Sequence, residues 1–383
     1  MKKIKNAILL CSFSFFGVLI SSGGPYRQQE VKLKQTQYKK NGVLKSDSTV
    51  RISKGEPCDL ELNSSGEPAG GGQGYTKILS KYTYLARNKK ELLLALSKAK
   101  SKEIIYVSDS ANIDLTGEYN IEINEGIVLS GGRGSDGSKG AHLFSNDTLK
   151  NFTLFLVRGE GVHITGLRIE GPDTSRKTEI LVKLEKERGS EGYYSIPVTT
   201  GIESHFTNTE ISDCEISGWS HSAISLYSGR DGKINNNFVH HNYIHHNQRY
   251  GLGYGISLDK TFALIEGNLF DWNRHSIQGS GNKGTSYEAR YNLVFGNSNS
   301  HPFDMHGGSD RSDGTEIAGT NIFIHHNTFH VFEKTQIIVI RGKPEKECVV
   351  SDNLFFNADS AKCIVQMHVT GNMKIFNNFF CKE

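Results

Sequence analysis

Acidic, basic and aromatic side chains that could move protons are concentrated between residues 249 and 341. Asp304 and His306 stand two residues apart in the run Phe303-Asp304-Met305-His306. On a β-strand, residues two apart point to the same side, roughly 7 Å from each other. A carboxylate beside an imidazole is suited to general acid–base chemistry. Asp304 and His306 are therefore the first candidates for a catalytic pair.

Further candidates follow from aligning five short segments in which apolar and polar residues alternate. The segments are Ala223–Tyr227, Gly255–Asp259, Ser276–Ser280, Pro302–His306 and Ile337–Arg341. The alternation predicts apolar columns facing a core and a polar strip facing solvent. The catalytic candidates are Asp304, His306, His275, Tyr254 and Arg341. The substrate-binding candidates are Arg249, Tyr250, Asp259, Arg274 and His301.

This combination of residue types suits removal of a proton next to a carboxylate. Arginine or a cation would neutralise the carboxylate, a base would take the proton, and tyrosine or histidine would return one. The alternative is a polar face that only meets solvent. The paired histidines are interpreted as structural or surface residues. These pairs are His240-His241, His245-His246 and His325-His326.

No metal ligands and no certain cofactor are assigned from the sequence. Asp310, Asp313 and Glu316 lie in a Gly-rich stretch, 307–320, and could hold Ca²⁺, although the twelve-residue calcium-loop spacing is absent. No C-x-x-C pair occurs, which argues against a zinc site. Cys348, Cys363 and Cys381 could lie near one another, and Cys214 is expected to be a small buried residue.

An internal repeat indicates how these residues are positioned. Eight segments share the pattern of an apolar residue, a turn, and a second apolar residue. Most of them are separated by roughly 24–28 residues. They are Ile164–Ile169, Ile211–Ile216, Val239–Ile244, Ile265–Phe270, Ala289–Val294, Ile324–Phe329, Val350–Phe355 and Ile375–Phe380. Asparagine holds the fourth position from Asn242 onward, and a second ladder is expected at Asn247, Asn273 and Asn297. A coil of this length fits three short strands and three turns.

The predicted fold is therefore all-β: a right-handed parallel β-helix solenoid with a short N-terminal capping helix. The helix is expected at 89–99, with Asn88 as its cap and Glu91 three residues on. Insertions at 172–200, with a possible helix from Lys177 to Glu187, and at 307–320 interrupt the period. A leucine-rich repeat is disfavoured because its leucine frame is missing.

The N-terminal end is typical of export. Lys2, Lys3 and Lys5 precede an apolar run, Ala7–Ile20, and small residues, which predicts a signal peptide over 1–23. A retained anchor is the alternative. Residues 24–74 are predicted to be a flexible polar leader and 75–383 the β-helix domain. The protein is thus expected to be secreted or periplasmic, with no stable membrane span in the mature chain.

Charge narrows the choice of partners. The formal charge of +3 falls close to zero once the three signal-peptide lysines are removed. A neutral chain has no general attraction for nucleic acid, so no nucleic-acid partner is predicted. The predicted partner is an acidic polysaccharide, and the chain is expected to be a monomer.

Two resemblances support this interpretation. The stretch Tyr82–Gly134 resembles the N-terminal part of pectate-lyase-type β-helices, and the chain from about residue 82 resembles the broad group of carbohydrate-active β-helices. Phe303-Asp304-Met305-His306 is similar to the F-D-P-H active-site run of mannuronan C5-epimerases and related alginate lyases, which implies that Asp304 and His306 are catalytic. Met305 replaces the proline, and Gly307 stands where an acidic residue is expected.

Two functions remain open from the sequence. One is an enzyme that acts on uronates by β-elimination or C5 epimerisation, that is, a polysaccharide lyase or uronate epimerase. The other is a non-catalytic β-helix that binds glycans or another surface. The aspartate pairs of β-helix polygalacturonases are absent, which argues against inverting hydrolysis.

Overall fold

The computed structural model describes residues 65–229, 232, 236–331 and 336–381. The predicted signal peptide, most of the predicted leader and Cys58 lie outside these residues. No described helix combines the length and apolarity needed to cross a bilayer.

Helices are few among the described residues. The α-helices are α1 (Lys89–Lys98), α2 (Thr178–Arg188) and α3 (Gly308–Arg311), and the 3₁₀ segments are Ser135–Gly137 and Gly189–Tyr194. Asn88 caps α1 by accepting a hydrogen bond from the Glu91 amide, as predicted. The Glu91 carboxylate accepts from the Arg87 backbone amide and from the Asn88 side-chain amide, not from the Asn88 backbone amide. The predicted α1 is confirmed. Helix α2 lies in the 172–200 insertion and α3 lies in the 307–320 insertion.

Short strands make up most of the described chain. In the N-terminal half these are β1 (Tyr84–Ala86), β2 (Ile104–Val107), β3 (Asn112–Asp114), β4 (Ile121–Ile123), β5 (Val128–Ser130), β6 (His142–Phe144), β7 (Phe152–Val157), β8 (His163–Thr165), β9 (Arg168–Glu170), β10 (Thr199–Ser204), β11 (Glu210–Ser212), β12 (Glu215–Ser217), β13 (Ser222–Tyr227), β14 (Asn236–His240) and β15 (Tyr243–His245). In the C-terminal half they are β16 (Tyr254–Asp259), β17 (Phe262–Glu266), β18 (Leu269–Asp271), β19 (His275–Gly279), β20 (Ser286–Arg290), β21 (Leu293–Phe295), β22 (Phe303–Met305), β23 (Asn321–His325), β24 (Thr328–His330), β25 (Ile338–Ile340), β26 (Glu347–Ser351), β27 (Leu354–Phe356), β28 (Ile364–Gln366), β29 (Met373–Phe376) and β30 (Phe379–Cys381).

The strands form three parallel sheets with neighbours about three strands apart in sequence. The eleven-stranded sheet has the order β1-β2-β5-β8-β11-β14-β17-β20-β23-β26-β29, and the ten-stranded sheet runs β3-β6-β9-β12-β15-β18-β21-β24-β27-β30. The nine-stranded sheet runs β28-β25-β22-β19-β16-β13-β10-β7-β4. Each coil thus adds one strand to each sheet. Parallel crossovers are almost always right-handed, and the predicted right-handed parallel β-helix is confirmed.

The asparagine column stacks as the repeat predicts. Each side-chain Nδ2 donates to Oδ1 of the next asparagine, from Asn242 to Asn268 at 3.0 Å and onward to Asn378. The residue before each asparagine has a positive φ, for example His241 at 53° and Tyr291 at 54°. That backbone turn frees amides and carbonyls that the asparagine side chain then satisfies.

The second ladder is shorter than predicted. Asn247 donates to Asn273 at 2.9 Å, whereas Asn297 donates to the Asp271 carboxylate at 3.2 Å. An acidic neighbour in the coil below therefore draws Asn297 out of the expected stack.

The core is the interior of the solenoid. Apolar columns from all three sheets are buried. They include Phe329 and Phe355, whose ring centroids lie 4.8 Å apart, and the partly buried Phe380 stacks on Phe355 at 5.0 Å. Cys214 is buried and unpaired as expected; Cys348 and Cys363 are likewise buried and free, and Cys381 is disulfide-bonded.

Ordered contacts begin before the predicted start near Tyr75. The Gly70 amide donates to the Gly267 carbonyl at 2.8 Å, and the Gly72 amide donates to Asp213 at 2.6 Å. Arg133 completes this cluster by binding Asp213 at 3.1 Å and the Gly70 carbonyl at 2.9 Å. We call residues 65–74 the strap, because they cross several coils on the side of the asparagine turns.

Candidate functional site

The outward side of the nine-stranded sheet carries the polar columns predicted from the alignment. The register pairs Ser225 with Ser257, Ser257 with Gln278, and Gln278 with Asp304. At about 4.8 Å per coil, the column from Ser225 to Asp304 spans about 14 Å. We call this side the polar face.

Asp304 lies at the centre of a cluster on the polar face and is fully buried, with 0% of its side chain exposed. The Arg341 guanidinium grips it from the neighbouring coil, with Nε donating to Oδ1 at 2.8 Å and Nη2 to Oδ2 at 2.9 Å. Arg341 Nη1 also donates to Asp310 at 3.3 Å. Arg341 directly follows β25, which pairs with β22. All three nitrogens of its fork are therefore committed to protein carboxylates.

Three histidines surround the same carboxylate. His306 Nε2 lies 3.1 Å and His275 Nε2 lies 3.5 Å from Asp304 Oδ2, while His301 Nε2 lies 3.2 Å from Oδ1. His275 is fully buried, and its Nδ1 lies 2.6 Å from the His301 carbonyl oxygen. The side chain of His306 is 24% exposed and that of His301 is 15% exposed. His306 is thus the imidazole most open to a bound molecule.

The charges in this cluster follow from burial and from its contacts. Burial raises the pKa of Asp304, but the adjacent His275, His301 and His306 outweigh this effect and hold the pKa well below its usual value. Burial lowers the pKa of His275 well below its usual value. Asp304 is therefore ionised, and the His275 ring is neutral, near pH 7.

Tyr254 and Arg274 extend the cluster along the polar face. The Tyr254 ring stacks on His275 with centroids 5.8 Å apart, and the Arg274 guanidinium lies 5.8 Å from the Tyr254 centroid. Burial raises the pKa of Tyr254 to about 12, so its hydroxyl stays protonated. Arg274 Nη1 is buried without a hydrogen-bond partner. Arg274 is therefore a cation with bonding capacity left over.

Other predicted binding residues serve the insertion or a neighbouring turn. Arg249 donates to Asp173 at 2.8 Å, and the Tyr250 hydroxyl donates to Glu185 at 2.8 Å. Both contacts hold the 172–200 insertion against the turn before β16. Asp259 accepts from Asn282 at 2.7 Å and from Ser280.

The acidic residues of the second insertion separate in the structure. Asp310 faces Arg341 and the Gly307 amide, whereas Asp313 faces Arg311 and Thr315. Among the described residues, the side chains that do bring metal-ligand atoms together are His275, His301 and Asp304. The contact of Asp310 with Arg341 was not anticipated, because the sequence does not show how the insertion folds back over β25.

The paired histidines lie at the turns before the asparagine ladders, away from the polar face. His240 Nε2 contacts Glu210 at 3.0 Å, and the Nδ1 atoms of His240 and His241 are 2.9 Å apart. The same Glu–His–His arrangement recurs at Glu215 with His245-His246 and at Glu288 with His325-His326. These contacts fit the structural interpretation of the pairs.

Comparison of the sequence with protein-family models and with curated proteins gave no match. Among solved structures, the chain is similar to YbhC from Escherichia coli, with a TM-score of 0.34 and 8% identity over 84% of this chain and 89% of that chain. It is also similar to a family 28 exopolygalacturonase from Yersinia enterocolitica, with a TM-score of 0.29 and 11% identity over 77% of this chain and 62% of that chain. The three-sheet topology of the chain itself makes it a parallel β-helix protein.

Proposed function

We propose that this β-helix acts on an acidic polysaccharide and removes the C5 proton of a uronate residue. The observation that carries the proposal is the partly exposed His306 held beside a buried, ionised Asp304. Nε2 lies 3.1 Å from Asp304 Oδ2, and Nδ1 lies 3.8 Å from Asp310 Oδ2. When the ring hydrogen is on Nε2, the Nδ1 lone pair can accept a proton. Asp304 orients the ring and stabilises the imidazolium that forms, as carboxylates do in other acid–base pairs.

The electron pair left at C5 is stabilised by the uronate carboxylate when that carboxylate is neutralised. Arg341 is already paired with two carboxylates, so Arg274 is the better candidate for this role. The resulting anion can expel the glycosidic oxygen at C4, which leaves a C4–C5 double bond. It can instead regain a proton from the opposite side, which inverts C5. Tyr254, which stays protonated, is the candidate proton donor.

The shape of the polar face favours a polymer. Its polar columns run across several coils, so an extended chain can contact successive strands. The 172–200 insertion contacts the turn before β16, and the 307–320 insertion follows β22. The insertions therefore border the face at opposite ends of its strands.

The test is deuterium exchange at C5, which reports proton removal for both reaction outcomes. The purified protein is incubated in D₂O with polymers of mannuronate, guluronate and galacturonate. Mass spectrometry measures deuterium, absorbance measures the unsaturated product, and NMR measures epimers. We expect His306→Ala to lower the rate at least ~100-fold, and Arg274→Ala to raise KM more than it lowers kcat.

His142→Ala is the matched control, because His142 is also partly exposed and lies 2.9 Å from a carboxylate, Glu170, on another sheet. Its rate should be unchanged. Absence of exchange and product on every polyuronate, or full activity in His306→Ala, would show the proposal to be wrong.

The second candidate is a β-helix that binds glycans without turnover. The commitment of Arg341 to Asp304 and Asp310 favours it, because such a network can be purely structural. Retention of a polyuronate by the protein with no exchange at C5 would support this candidate.

A further inference from the structure

Metal-ligand atoms converge in the Asp304 cluster. The ligand atoms of His275, His301 and Asp304 lie within 4.8 Å of one another. The imidazole-to-carboxylate distances are 3.5 Å from His275 and 3.2 Å from His301. Two ligand atoms on one ion, each at a bond length of about 2.0–2.1 Å, lie about 2.8–3.4 Å apart in octahedral or tetrahedral geometry. The observed separations are close to this range, with His275 facing Oδ2 and His301 facing Oδ1, so the carboxylate would present both oxygens to the ion.

His275 provides an independent observation. Its Nδ1 faces the His301 carbonyl at 2.6 Å, and a carbonyl can only accept, so Nδ1 carries the hydrogen. Nε2 of the neutral ring is then a lone pair that faces the Asp304 carboxylate, and this buried atom has no hydrogen-bond partner. Metal-binding histidines commonly donate the other ring N–H to a carbonyl in this way. A cation between Nε2 and the carboxylate would satisfy both groups.

We propose that His275, His301 and Asp304 bind one divalent transition-metal ion, for which Zn²⁺ is the representative. Two imidazoles and a carboxylate suit Zn²⁺, Fe²⁺ or Ni²⁺, whereas Ca²⁺ and Mg²⁺ require mostly oxygen ligands. An ion with three protein ligands keeps a position for water or substrate. His306, 3.1 Å from Asp304 on the more exposed side, flanks that position.

Binding of the ion requires Arg341 to break the contacts that its Nη2 atom makes. Its Nη2 must release His301 Nε2, now 2.9 Å away, and Asp304 Oδ2. Its bonds from Nε to Asp304 Oδ1 at 2.8 Å and from Nη1 to Asp310 at 3.3 Å can remain. Arg341 then holds the ligating carboxylate in place, and Asp310 offsets the arginine charge.

The experiment is calorimetric titration of the chelator-treated, purified protein with Zn²⁺ alone, with Co²⁺ absorption as a second measure of ligand geometry. We expect one Zn²⁺ per chain and visible Co²⁺ d–d bands. His301→Gln and Asp304→Asn should each weaken binding at least ~10-fold. His142→Ala and the double variant His240→Ala/His245→Ala control for histidines outside the cluster and should bind as the unmodified protein does.

A measurement on the unmodified protein covers the case in which a variant does not fold. Zn²⁺ should protect His301, but not His142, from acylation by diethyl pyrocarbonate, mapped by mass spectrometry. Less than one bound Zn²⁺ per chain, unprotected His301, or unchanged affinity in a folded His301→Gln variant would overturn the proposal. Neither readout involves polysaccharide turnover, so this inference and the proposed function succeed or fail separately.

Discussion

Asp304 carries its charge where solvent does not reach it. A buried carboxylate is stable only when paired and hydrogen-bonded, and Arg341 supplies two charge-assisted bonds. The F-D-M-H run predicted that Asp304 and His306 point to the same side; β22 ends at Met305, and His306 Nε2 lies 3.1 Å from Asp304 Oδ2. The burial of Asp304 could not be predicted, because the groups that cover it, His275 and Arg341, come from the two neighbouring coils.

His241 makes stability depend on pH. Burial lowers its pKa to about 4, so the ring stays neutral in the folded protein, whereas in the unfolded chain it takes up a proton near pH 6.5. The contribution of this residue to the free energy of unfolding should therefore be fully present above pH 6.5 and decrease by about 3 kcal/mol between pH 6.5 and 4. Thermal melts across this range measure the effect.

His241→Asn should make that pH dependence shallower, since asparagine does not titrate and tolerates the positive φ of 53° at this position. His142→Ala serves again as the control. An equally steep decrease in His241→Asn would contradict the assignment.

At the scale of elements, the turns were the most predictable part of the fold. A residue with positive φ followed by a buried asparagine recurs because each coil has the same backbone groups to satisfy. The repeat therefore predicted the register of Asn242, Asn268 and Asn292. Insertions lack this constraint: the sequence predicted a helix near Lys177–Glu187 but not that Asp173 and Glu185 would take Arg249 and Tyr250 as partners.

Asn292→Ala should cost about 3 kcal/mol in the free energy of unfolding. Its Nδ2 donates to Ile265 O and to Asn327 Oδ1, each at 2.9 Å, and its Oδ1 accepts from Asn268. Removal of the asparagine side chain leaves buried backbone and side-chain groups without hydrogen bonds. Each unsatisfied group costs about 1–3 kcal/mol in the free energy of unfolding.

Asn297→Ala is the matched comparison, because Asn297 departs from the second ladder and is only partly buried. It should cost less than about 1 kcal/mol. Urea unfolding measures both variants, and equal losses would show that stacking of the asparagines adds nothing to stability.

At the scale of the whole molecule, the two ends of the solenoid differ. Helix α1 packs on β1, β2 and β4 and buries Leu92, Ala95 and Leu96. At the other end Ile375, Phe376 and Phe379 are exposed. An N-terminal cap was predictable because an open strand edge needs cover, and the amphipathic stretch at 89–99 was available to provide it.

Leu92→Ala should destabilise the protein by about 2–5 kcal/mol, because Leu92 is fully buried between α1 and the first coil. Leu94→Ala, on the exposed side of the same helix, should change stability by less than about 0.5 kcal/mol. Hydrogen exchange of β1 and β2 would locate the loss. Similar effects of the two variants would contradict a capping role for α1.

The strap has a consequence for the order in which the molecule assembles. Ser65 reaches His241, a residue 176 positions later, and Gly72 reaches Asp213. The strap is therefore synthesised long before the residues that it binds. It can dock only after those coils have formed. Closing so distant a contact adds a slow final event to folding. A nascent chain halted before residue 213 would hold stacked coils and a strap that lacks its Asp213, His241 and Gly267 partners, so resistance of residues 65–74 to proteolysis would report that the coils as far as Gly267 have formed.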